Sequence, residues 1–571
     1  MKVSDYITKF LIEKDINKCF SVTGGFAMHL NDSFGSKLDV TYTHGEQPAG
    51  YAALGWSSYA HNPSVCCVTS GCGATNAMTP CLIAYQDSVP VFFISGQVQV
   101  NDNIRSRGGK DRGYFGSDCD IVECVKGITK YAFELRDPSQ IQIALDACYR
   151  NLTTGRPGPV WLSIPVDVQS MQVPHALYNP IPLKSVTDEQ LPSDFLEAWK
   201  NAERPIVLAG NGIHLSKTRE QFRKFMEEHK LPYVVSYFGS DLGDDYTGKV
   251  GILANRPGNF AIQNADLILC LGCRLSKSIT GYNRDLFARE AKIIQVDIDK
   301  SEFMEEKKVD VKIHMELKTF FSLNLPKTHI SEKWISKNKE WRDMWSDELP
   351  EPIGSKVCPY RHLNTFFNNK NGESVVTMSS GAIVCIAWHM YKYKSGDKLI
   401  ISSHGDMGYE MPAAIGASFH GKRVYSILGD GSFQFNIQEL QTLKHHNLPV
   451  SVLVFNNSGY EAIKVSQKSV FKREFGTSPE NGISFCNIEE ITKAYGIPYY
   501  KVENNEDVGY LKHENGPIVV EIVCNSQSRY PRVANKPMPD GTFKNMPHEE
   551  MSPFLDEQIL KDNLFVERVS H

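Results

Sequence analysis

Two short motifs in the last third of the chain carry oxygen atoms suited to a hard cation. A Gly-Asp-Gly turn centred on Asp430 ends one apolar run, and an Asn-Asn pair ending at Asn457 closes the next, with Gly459 just beyond. Mg²⁺ takes few protein oxygens and completes its octahedron with phosphate oxygens and water. The Asp430 carboxylate, the Asn457 amide and the Gly459 carbonyl therefore predict a magnesium site that accepts a diphosphate. Gly431 and the N–H groups opening the next helix would favour that anion, although an ordinary tight turn with an incidental Asn-Asn loop would leave the same pattern.

The elements around these motifs explain how they could meet. RVYSIL and SVLVF predict two strands, and the segment between them predicts a helix that begins near Ser432 and turns Phe435, Leu440 and Leu443 inward. A right-handed strand-helix-strand unit brings both strand tips to the carboxyl edge of one sheet, where open α/β sheets bind ligands. Asp430 and Asn457 are therefore expected to face one point.

The same alternation of short apolar runs and helical lengths extends over the whole chain. Runs such as PVFFISG, PVWLSIP, DLILCLG, KIIQVDID and PIVVEIV predict buried parallel strands. Two polar stretches that contain proline, 173–194 and 326–359, separate three such segments. We therefore predict an α/β protein of three doubly wound parallel-sheet domains, at 1–172, 190–325 and 358–545, with a tail at 546–571 that forms a short helix or a cap.

Composition excludes several classes of partner. The net charge of -5 shows no basic excess, so a nucleic-acid partner is not expected. The N-terminal residues interleave charges with apolar residues, unlike a signal peptide. No apolar run approaches the roughly 18 to 20 residues of a membrane helix. These features predict a cytoplasmic protein without a membrane partner.

Beyond the opening motifs, the chain contains several longer blocks with a common resemblance. They are THGEQPAGYAALG (43–55), VTSGCGATNAMTP (68–80), SVPVFFISGQV (88–98), GRPGPVWLSIPVDVQ (155–169), HGDMGYEMPAAIGAS (404–418) and the segment from 429 to 457. These blocks resemble the thiamine-diphosphate enzymes, in the branch of acetohydroxyacid (acetolactate) synthases and pyruvate oxidases. The resemblance covers nearly the whole chain and implies a pyrimidine-binding, a central FAD-type and a diphosphate-binding domain.

The resemblance assigns roles to individual residues. Glu46 matches the catalytic glutamate that bonds N1′ of the cofactor's aminopyrimidine, so that the cofactor supplies its own base; a helix-capping role is the structural alternative. Met407 matches the apolar residue that bends the cofactor, and a plain core methionine is its alternative. The metal ligands implied are Asp430, Asn457 and Gly459. The residues implied to contact thiamine diphosphate are Gly24, Gly25, Thr69, Gly405, Met407, Asp430, Gly431, Ser432, Asn457, Gly459 and Tyr460.

The middle segment resembles the FAD-binding domain of the same branch. The family's charged residues after Arg274 are replaced here by Leu275, Ser276 and Lys277, so a domain that kept its fold and lost the flavin is the alternative. The residues implied to contact FAD are Arg156, Gly210, Asn211, Gly212, Gly272, Arg274, Asp297 and Asp310.

The implied activity is decarboxylation of a 2-oxo acid, pyruvate above all, followed by carboligation to a second carbonyl compound. The family builds each site from two subunits, which implies a homodimer or homotetramer. Three residues depart from the family: a tryptophan is replaced by Ser466, a lysine by Val166 and a glutamine by Ser117. These changes indicate that recognition of the acceptor substrate has changed. The alternatives are acetyl transfer from pyruvate to a nucleotide-linked keto-sugar, a flavin-dependent pyruvate oxidase and a non-catalytic relative.

Overall fold

The computed structural model describes residues 1–109, 112–174, 187–188, 190–526, 532–533, 535–537 and 543–569 of the 571-residue chain. Most of the first predicted linker, 173–194, lies outside these ranges.

Three six-stranded sheets organise the chain, and within each of them neighbouring strands pair in parallel. The inner strands of each sheet are almost wholly buried, as expected for strands covered by helices on both faces, whereas most edge strands are only partly buried. The predicted α/β fold with three parallel sheets is confirmed. The first sheet contains β1 (Lys18–Ser21), β2 (Asp39–Tyr42), β3 (Ser64–Val68), β4 (Val91–Gln97), β5 (Tyr131–Glu134) and β6 (Val160–Pro165). The second contains β7 (Pro205–Ala209), β8 (Tyr233–Val235), β9 (Gly248–Lys249), β10 (Leu267–Leu271), β11 (Lys292–Asp297) and β12 (Val311–His314). The third contains β13 (Val375–Met378), β14 (Lys398–Ile401), β15 (Val424–Gly429), β16 (Val450–Asn456), β17 (Tyr499–Val502) and β18 (Ile518–Val523).

Helices connect the strands of each sheet. Those around the first sheet are α1 (Val3–Glu13), α2 (Met28–Lys37), α3 (Glu46–Ala60), α4 (Cys72–Asn76), α5 (Met78–Asp87), α6 (Ile121–Val125), α7 (Ile141–Thr153) and α8 (Val166–Ser170). Those around the second are α9 (Ser193–Asn201), α10 (Gly212–Leu215), α11 (Arg219–His229), α12 (Arg256–Asn264), α13 (Lys277–Thr280), α14 (Leu317–Phe320) and α15 (Glu332–Trp345). Those around the third are α16 (Pro359–Asn369), α17 (Gly381–Met390), α18 (Glu410–Ser418), α19 (Asp430–Phe435), α20 (Leu440–His445), α21 (Glu461–Phe471) and α22 (Ile488–Ala494), and α23 (Glu557–Asp562) follows near the C-terminus.

The first and third sheets share one topology, which the second does not. Their strand orders are β2-β1-β3-β4-β6-β5 and β14-β13-β15-β16-β18-β17, whereas the second runs β12-β11-β10-β7-β8-β9. α3 and α18 therefore occupy equivalent places in the two domains, because each lies along the chain between the second and third strands of its sheet. They also begin alike, with Glu-Gln-Pro-Ala at Glu46 and Glu-Met-Pro-Ala at Glu410.

α3 and α18 pack directly on each other and join the first sheet's domain to the third's. A Cβ at Gly55 would lie 2.0 Å from the Ala413 carbonyl oxygen, and one at Gly416 would lie 1.9 Å from the Ala52 carbonyl oxygen. Because only glycine leaves room for such contacts, the two backbones touch at reciprocal positions. This contact determines where the N-terminal end of α3, and hence Glu46, lies.

The helix predicted between β15 and β16 is broken. α19 ends at Phe435, Asn436 leaves the helical region with φ -135° and ψ 35°, and a 3-10 turn over Ile437–Glu439 precedes α20, which begins at Leu440. Leu440 and Leu443 are buried as predicted, but Phe435 is 52% exposed, so its predicted inward orientation is wrong. The physical reason is that the Asn436 amide donates to the Gly408 carbonyl, a tertiary hydrogen bond that helical periodicity does not reveal.

Two segments outside the sheets cover the second domain. The 326–359 stretch, expected as a linker, contains α15, whose Trp334 and Trp341 are buried. Within the 546–571 tail, α23 buries Leu560, and the Arg256 guanidinium donates to backbone carbonyls of Met551 and Pro553. Two short antiparallel pairs precede and enter this tail, β19 (Arg532–Val533) with β22 (Met551–Ser552) and β20 (Asn535–Pro537) with β21 (Phe543–Asn545). Among the described residues, no helix combines the length and apolar character needed to cross a bilayer.

Candidate functional site

Asp430 is a buried carboxylate at the point where β15 passes into α19. Its Oδ1 accepts the N–H of Gly431 at 2.7 Å, and its Oδ2 accepts the N–H of Gly459 at 3.2 Å. Burial outweighs these bonds and raises the pKa of Asp430 to about 6. The tips of β15 and β16 are therefore joined through this one side chain, and Asp430 lies within hydrogen-bonding distance of the loop that carries Asn457.

The loop after β16 is held by the first asparagine of the pair. Asn456 donates to Glu521 at 2.6 Å and accepts the N–H of Ser458, whose φ of 55° is left-handed. The Asn457 amide nitrogen lies 3.5 Å from Ser526 Oγ. Asn456 thus shapes the turn, while Asn457 and Gly459 carry the oxygens expected at a cation.

A second loop, residues 405–408, lies against the start of α19. The Gly408 N–H donates to Ser432 Oγ at 2.7 Å, and Gly408 has a φ of 86°, which favours glycine. A Cβ at Gly431 would lie 2.0 Å from the Tyr460 ring and 3.0 Å from Cε of Met407. Met407 and Tyr460 therefore both pack against Gly431.

A third cluster surrounds Glu46 in the first domain. Its carboxylate accepts the amide N–H of Asn76 at 3.1 Å, and a Cβ at Gly73 would lie 3.2 Å from its Oε1. Thr69 contacts both Gly73 and Gly24, since a Cβ at either glycine would lie within 2.7 Å of the threonine side chain. Thr69 Oγ1 is buried and has no hydrogen-bond partner among the described residues. Gly25 is exposed beside this cluster, with no atom within 4 Å of a Cβ placed on it.

Glu439 attaches the turn before Glu46 to the third domain of the same chain. It is fully buried, accepts the N–H of His44 at 3.0 Å and the Thr442 hydroxyl at 2.7 Å, and its pKa is raised to about 7 by burial. Within the described ranges, no hydrogen bond joins the Glu46 cluster to Asp430 or to the loop of Asn457. The described hydrogen bonds therefore leave the two clusters unconnected within one chain.

A cavity of about 890 Å³ opens between the three domains. Asn211, Gly212, Gly272, Arg274 and Asp297 of the second domain line it. The first domain contributes Asp87 and Arg156, and the third contributes Ser379, Ser403 and Gly405. Through Gly405 the cavity reaches the loop of Met407.

Glycines bring two loops of the second domain together at this cavity. A Cβ at Gly210 would lie 2.2 Å from the Gly272 carbonyl oxygen, and one at Gly212 would lie 2.6 Å from the Gly272 Cα. Gly272 itself has a φ of 55°. Backbone packing alone therefore requires all three glycines, whatever the cavity binds.

The charges that line the cavity differ in how they are paired. Arg156 bonds Asp299 and Glu302 at 3.2 and 2.6 Å and so bridges the first two domains. Arg274 donates to the Gln86 carbonyl at 2.9 Å and has no carboxylate partner in the described part of the chain. Burial raises the pKa of Asp297 to about 6.

Asp310 lies elsewhere. It is exposed, and its Oδ2 accepts the N–H of Ile293 at 2.7 Å, at the beginning of β11, whereas the cavity is at the carboxyl ends of the strands. Asp310 is not among the cavity's lining residues.

Sequence reasoning missed three buried carboxyl groups that hold the loops of these sites. Asp87 accepts the N–H and hydroxyl of Ser403, Glu439 accepts the N–H of His44, and Glu410 contacts Ser380 and Ser432. The repeated Glu-x-Pro-Ala of α3 and α18 was a signal for Glu410. No local pattern marks the other two, because their partners are distant in sequence.

Comparisons with known proteins agree with this architecture. Three thiamine pyrophosphate enzyme models match in order: the N-terminal TPP binding domain at 1–124, the central domain at 193–323 and the C-terminal TPP binding domain at 379–522. The acetolactate synthase large subunit of Lactococcus lactis is 28% identical, over 91% of this chain and 92% of its own. A probable acetolactate synthase large subunit of Methanocaldococcus jannaschii is 28% identical, over 96% and 95%. The chloroplastic acetolactate synthase 1 of Nicotiana tabacum is 27% identical, over 92% and 82%. The chain therefore belongs to the thiamine pyrophosphate enzymes, in the acetolactate synthase-like branch.

Proposed function

We propose that this enzyme decarboxylates a 2-oxo acid, pyruvate above all, and joins the remaining two-carbon unit to a second carbonyl compound, as an acetolactate synthase does. One observation carries the proposal. A single chain presents both parts of a thiamine diphosphate site, the buried Asp430 in an anion-accepting turn and Glu46 at the start of α3. The similarity to acetolactate synthase large subunits over nearly the whole chain supports the assignment as a carboligase.

The residues at the tips of β15 and β16 fit Mg²⁺ and a diphosphate. Burial raises the pKa of Asp430 even though backbone N–H groups donate hydrogen bonds to its carboxylate. A cation beside Asp430 would compensate for the hydration that the carboxylate has lost. We assign the metal to Asp430, the Asn457 side-chain oxygen and the Gly459 carbonyl, an all-oxygen set that suits Mg²⁺. Gly431 and Ser432 at the start of α19, together with Tyr460, would contact the diphosphate.

The Glu46 cluster fits the pyrimidine end of the cofactor. Thr69 Oγ1 is buried without a partner among the described residues, as a group reserved for a ligand would be. Glu46 would hold a proton at N1′ of the aminopyrimidine, and Gly24 and Gly25 would leave the ring room beside Thr69. Met407 would support the bent cofactor, with Gly405 against the pyrimidine edge. When bound, thiamine diphosphate supplies the nucleophilic carbon and the electron sink for loss of CO₂.

Two copies of the chain would complete each site. Enzymes of this family act on small molecules as oligomers, and here Glu46 and Asp430 lie in separate clusters of one chain. α21, which follows Tyr460, buries none of its residues, and Ile463, Val470 and Phe471 on it are between 45% and 64% exposed. So extensive an apolar surface beside a site favours a covered interface. We therefore propose a homodimer as the minimum, in which the Glu46 of one subunit faces the Asp430 of the other, and a homotetramer as a dimer of such dimers.

The central cavity fits FAD. Its volume of about 890 Å³ is within the range of cofactor sites, roughly 300–1,000 Å³. Arg274, without a carboxylate partner in the described residues, would meet the diphosphate, and Asp297 would accept hydrogen bonds from a ribose. The flavin would be lined by Asn211, Gly212, Gly272 and Arg156, the last of which stays paired with its carboxylates. Gly210 would pack against Gly272 on the side away from the flavin. Asp310 is left out because of its position at the other end of the strands.

A larger acceptor is the second candidate. Ser466, which stands where the branch has a tryptophan, is exposed on α21, and its hydroxyl turns back to the Ala462 carbonyl at 3.0 Å. A serine in place of a tryptophan occupies less space, which favours an acceptor bulkier than pyruvate, such as a nucleotide-linked keto-sugar. The donor chemistry would be unchanged.

The test is a product analysis. Purified protein is incubated with pyruvate, Mg²⁺, thiamine diphosphate and FAD, with and without candidate acceptors, and products are identified by mass spectrometry. A ligated product that requires both thiamine diphosphate and Mg²⁺ is expected. Release of CO₂ without a ligated product would contradict the carboligase assignment, and pyruvate-dependent oxygen uptake would indicate an oxidase. The absence of any thermal shift with Mg²⁺ and thiamine diphosphate would indicate a non-catalytic relative.

A further inference from the structure

Glu410 is a fully buried carboxyl group at the start of α18 that the reaction itself does not use. Its Oε1 accepts both the N–H and the hydroxyl of Ser380 at 3.0 Å, and its Oε2 accepts the hydroxyl of Ser432 at 2.6 Å. Ser380 follows β13, and Ser432 lies two residues after Asp430. Glu410 therefore ties two strand ends of the third sheet together.

The topology makes Glu410 the third domain's counterpart of Glu46. α3 and α18 are equivalent in the two matching sheets, and each begins with the glutamate of a Glu-x-Pro-Ala motif. Each glutamate accepts a hydrogen bond from the helix that follows the next strand, Glu46 from Asn76 of α4 and Glu410 from Ser432 of α19. Glu46 has one such bond and an open side, whereas both oxygens of Glu410 are occupied. In the third domain, the glutamate at this position, Glu410, therefore holds neighbouring loops together and has no open side for a ligand.

Ser432 passes this support to the loop of Met407. A backbone N–H can only donate, so Ser432 Oγ accepts from Gly408 at 2.7 Å and directs its own proton to Glu410. The Asn436 amide bonds the Gly408 carbonyl at 2.7 Å, so both polar backbone groups of Gly408 depend on the α19 segment. The Met407 loop is thereby held against the turn of Asp430.

We propose that Glu410 is a positioning residue which, through Ser432, holds the Met407 loop against the Asp430 turn and so sets the affinity for thiamine diphosphate with Mg²⁺. This inference rests on the proposed function, in which these two loops hold opposite ends of the cofactor. Glu410 touches neither cofactor nor substrate. Its loss would weaken cofactor binding, which the Kd of thiamine diphosphate measures directly.

The experiment measures the Kd of thiamine diphosphate at saturating Mg²⁺, by quenching of tryptophan fluorescence, in the full-length protein. Removing groups that orient ligating residues typically costs about 10- to 100-fold in affinity. We expect a Kd about 100-fold higher for Glu410→Ala and about 10-fold higher for Glu410→Gln, whose amide keeps one acceptor oxygen for Ser380. Leu363→Ala is the control, because Leu363 is a fully buried core residue of α16 and its truncation lowers stability without touching either loop. It should lower Tm and keep the wild-type Kd.

A double-mutant cycle tests the route through Ser432. If Glu410 acts through that hydroxyl, Glu410→Gln adds little to the Kd of Ser432→Ala, whereas independent effects would multiply. A wild-type Kd for Glu410→Gln, multiplying effects in the cycle, or an equal rise in Kd for Leu363→Ala would each overturn the proposal. Should Glu410→Ala fail to fold, the near-isosteric Glu410→Gln decides. If the wild-type protein itself binds no cofactor, it is the proposed function that fails.

Discussion

Substituting Gly55 by alanine tests the contact between α3 and α18 that places Glu46. The new Cβ would lie 2.0 Å from the Ala413 carbonyl oxygen, and real Cβ contacts essentially never fall below 3.0 Å. Since the opposing atom is backbone, no side chain can rotate away, and the helices must separate by about 1 Å or more. Overpacking of this kind costs about 1–3 kcal/mol.

The sign of the effect separates packing from intrinsic helix propensity. In the interior of an isolated helix, alanine in place of glycine stabilises by roughly 0.5–1 kcal/mol. The contact between α3 and α18 reverses that sign. For an unfolding unit of about 150–250 residues, the size of one domain, Tm should fall by about 2–4 °C for each kcal/mol lost. Because a misplacement of about 1 Å can reduce turnover 100-fold, displacement of Glu46 should lower product formation by about that factor.

The assay combines calorimetric unfolding of the protein with product formation from pyruvate. Gly127→Ala is the matched control, since no atom lies within 4 Å of a Cβ placed on Gly127. It should keep the Tm and turnover of the wild type. A Gly55→Ala protein with an unchanged or higher Tm would refute the close packing of α3 on α18, and with it this account of how Glu46 is placed.

Three further predictions concern the proposed site residues. Glu46→Gln should reduce turnover about 10²- to 10⁴-fold, because proton transfer is lost. The Kd of thiamine diphosphate measured by fluorescence should stay near that of the wild type, because the diphosphate turn is intact. Near-normal turnover would remove Glu46 from the mechanism. Asp430→Ala should abolish Mg²⁺-dependent retention of thiamine diphosphate on gel filtration, as chelation with EDTA should for the wild type, and retention at wild-type levels would contradict the metal assignment. Arg274→Ala should lower the flavin absorbance of the purified protein, since it removes a cation of the cavity that has no carboxylate within salt-bridge distance in the described residues. Asp310→Asn, at the opposite ends of the strands, should keep that absorbance, and equal loss in both variants would place the flavin elsewhere.

Local pattern accounts for much of the third domain. Strands such as β15 and β16 are predominantly apolar runs because parallel strands are buried on both faces, so their approximate limits can be read from the chain. The handedness of strand-helix-strand units then predicts that Asp430 and the loop of Asn457 meet, and the hydrogen bond from the Gly459 N–H to Asp430 joins them. Local pattern fails at Asn436, where a bond to Gly408 breaks the expected helix.

By itself, the sequence determined the α/β class, the three parallel sheets and the family, because strand periodicity and contiguous motifs are local properties of the chain. Only the tertiary structure decided how those parts combine: that α3 and α18 touch through Gly55 and Gly416, that Glu410 lies beneath Ser432, that the cavity opens between three domains and that Asp310 lies away from it. These features depend on contacts between residues far apart in sequence. Such contacts form only when separate sheets pack against each other, and no short stretch of the chain records them.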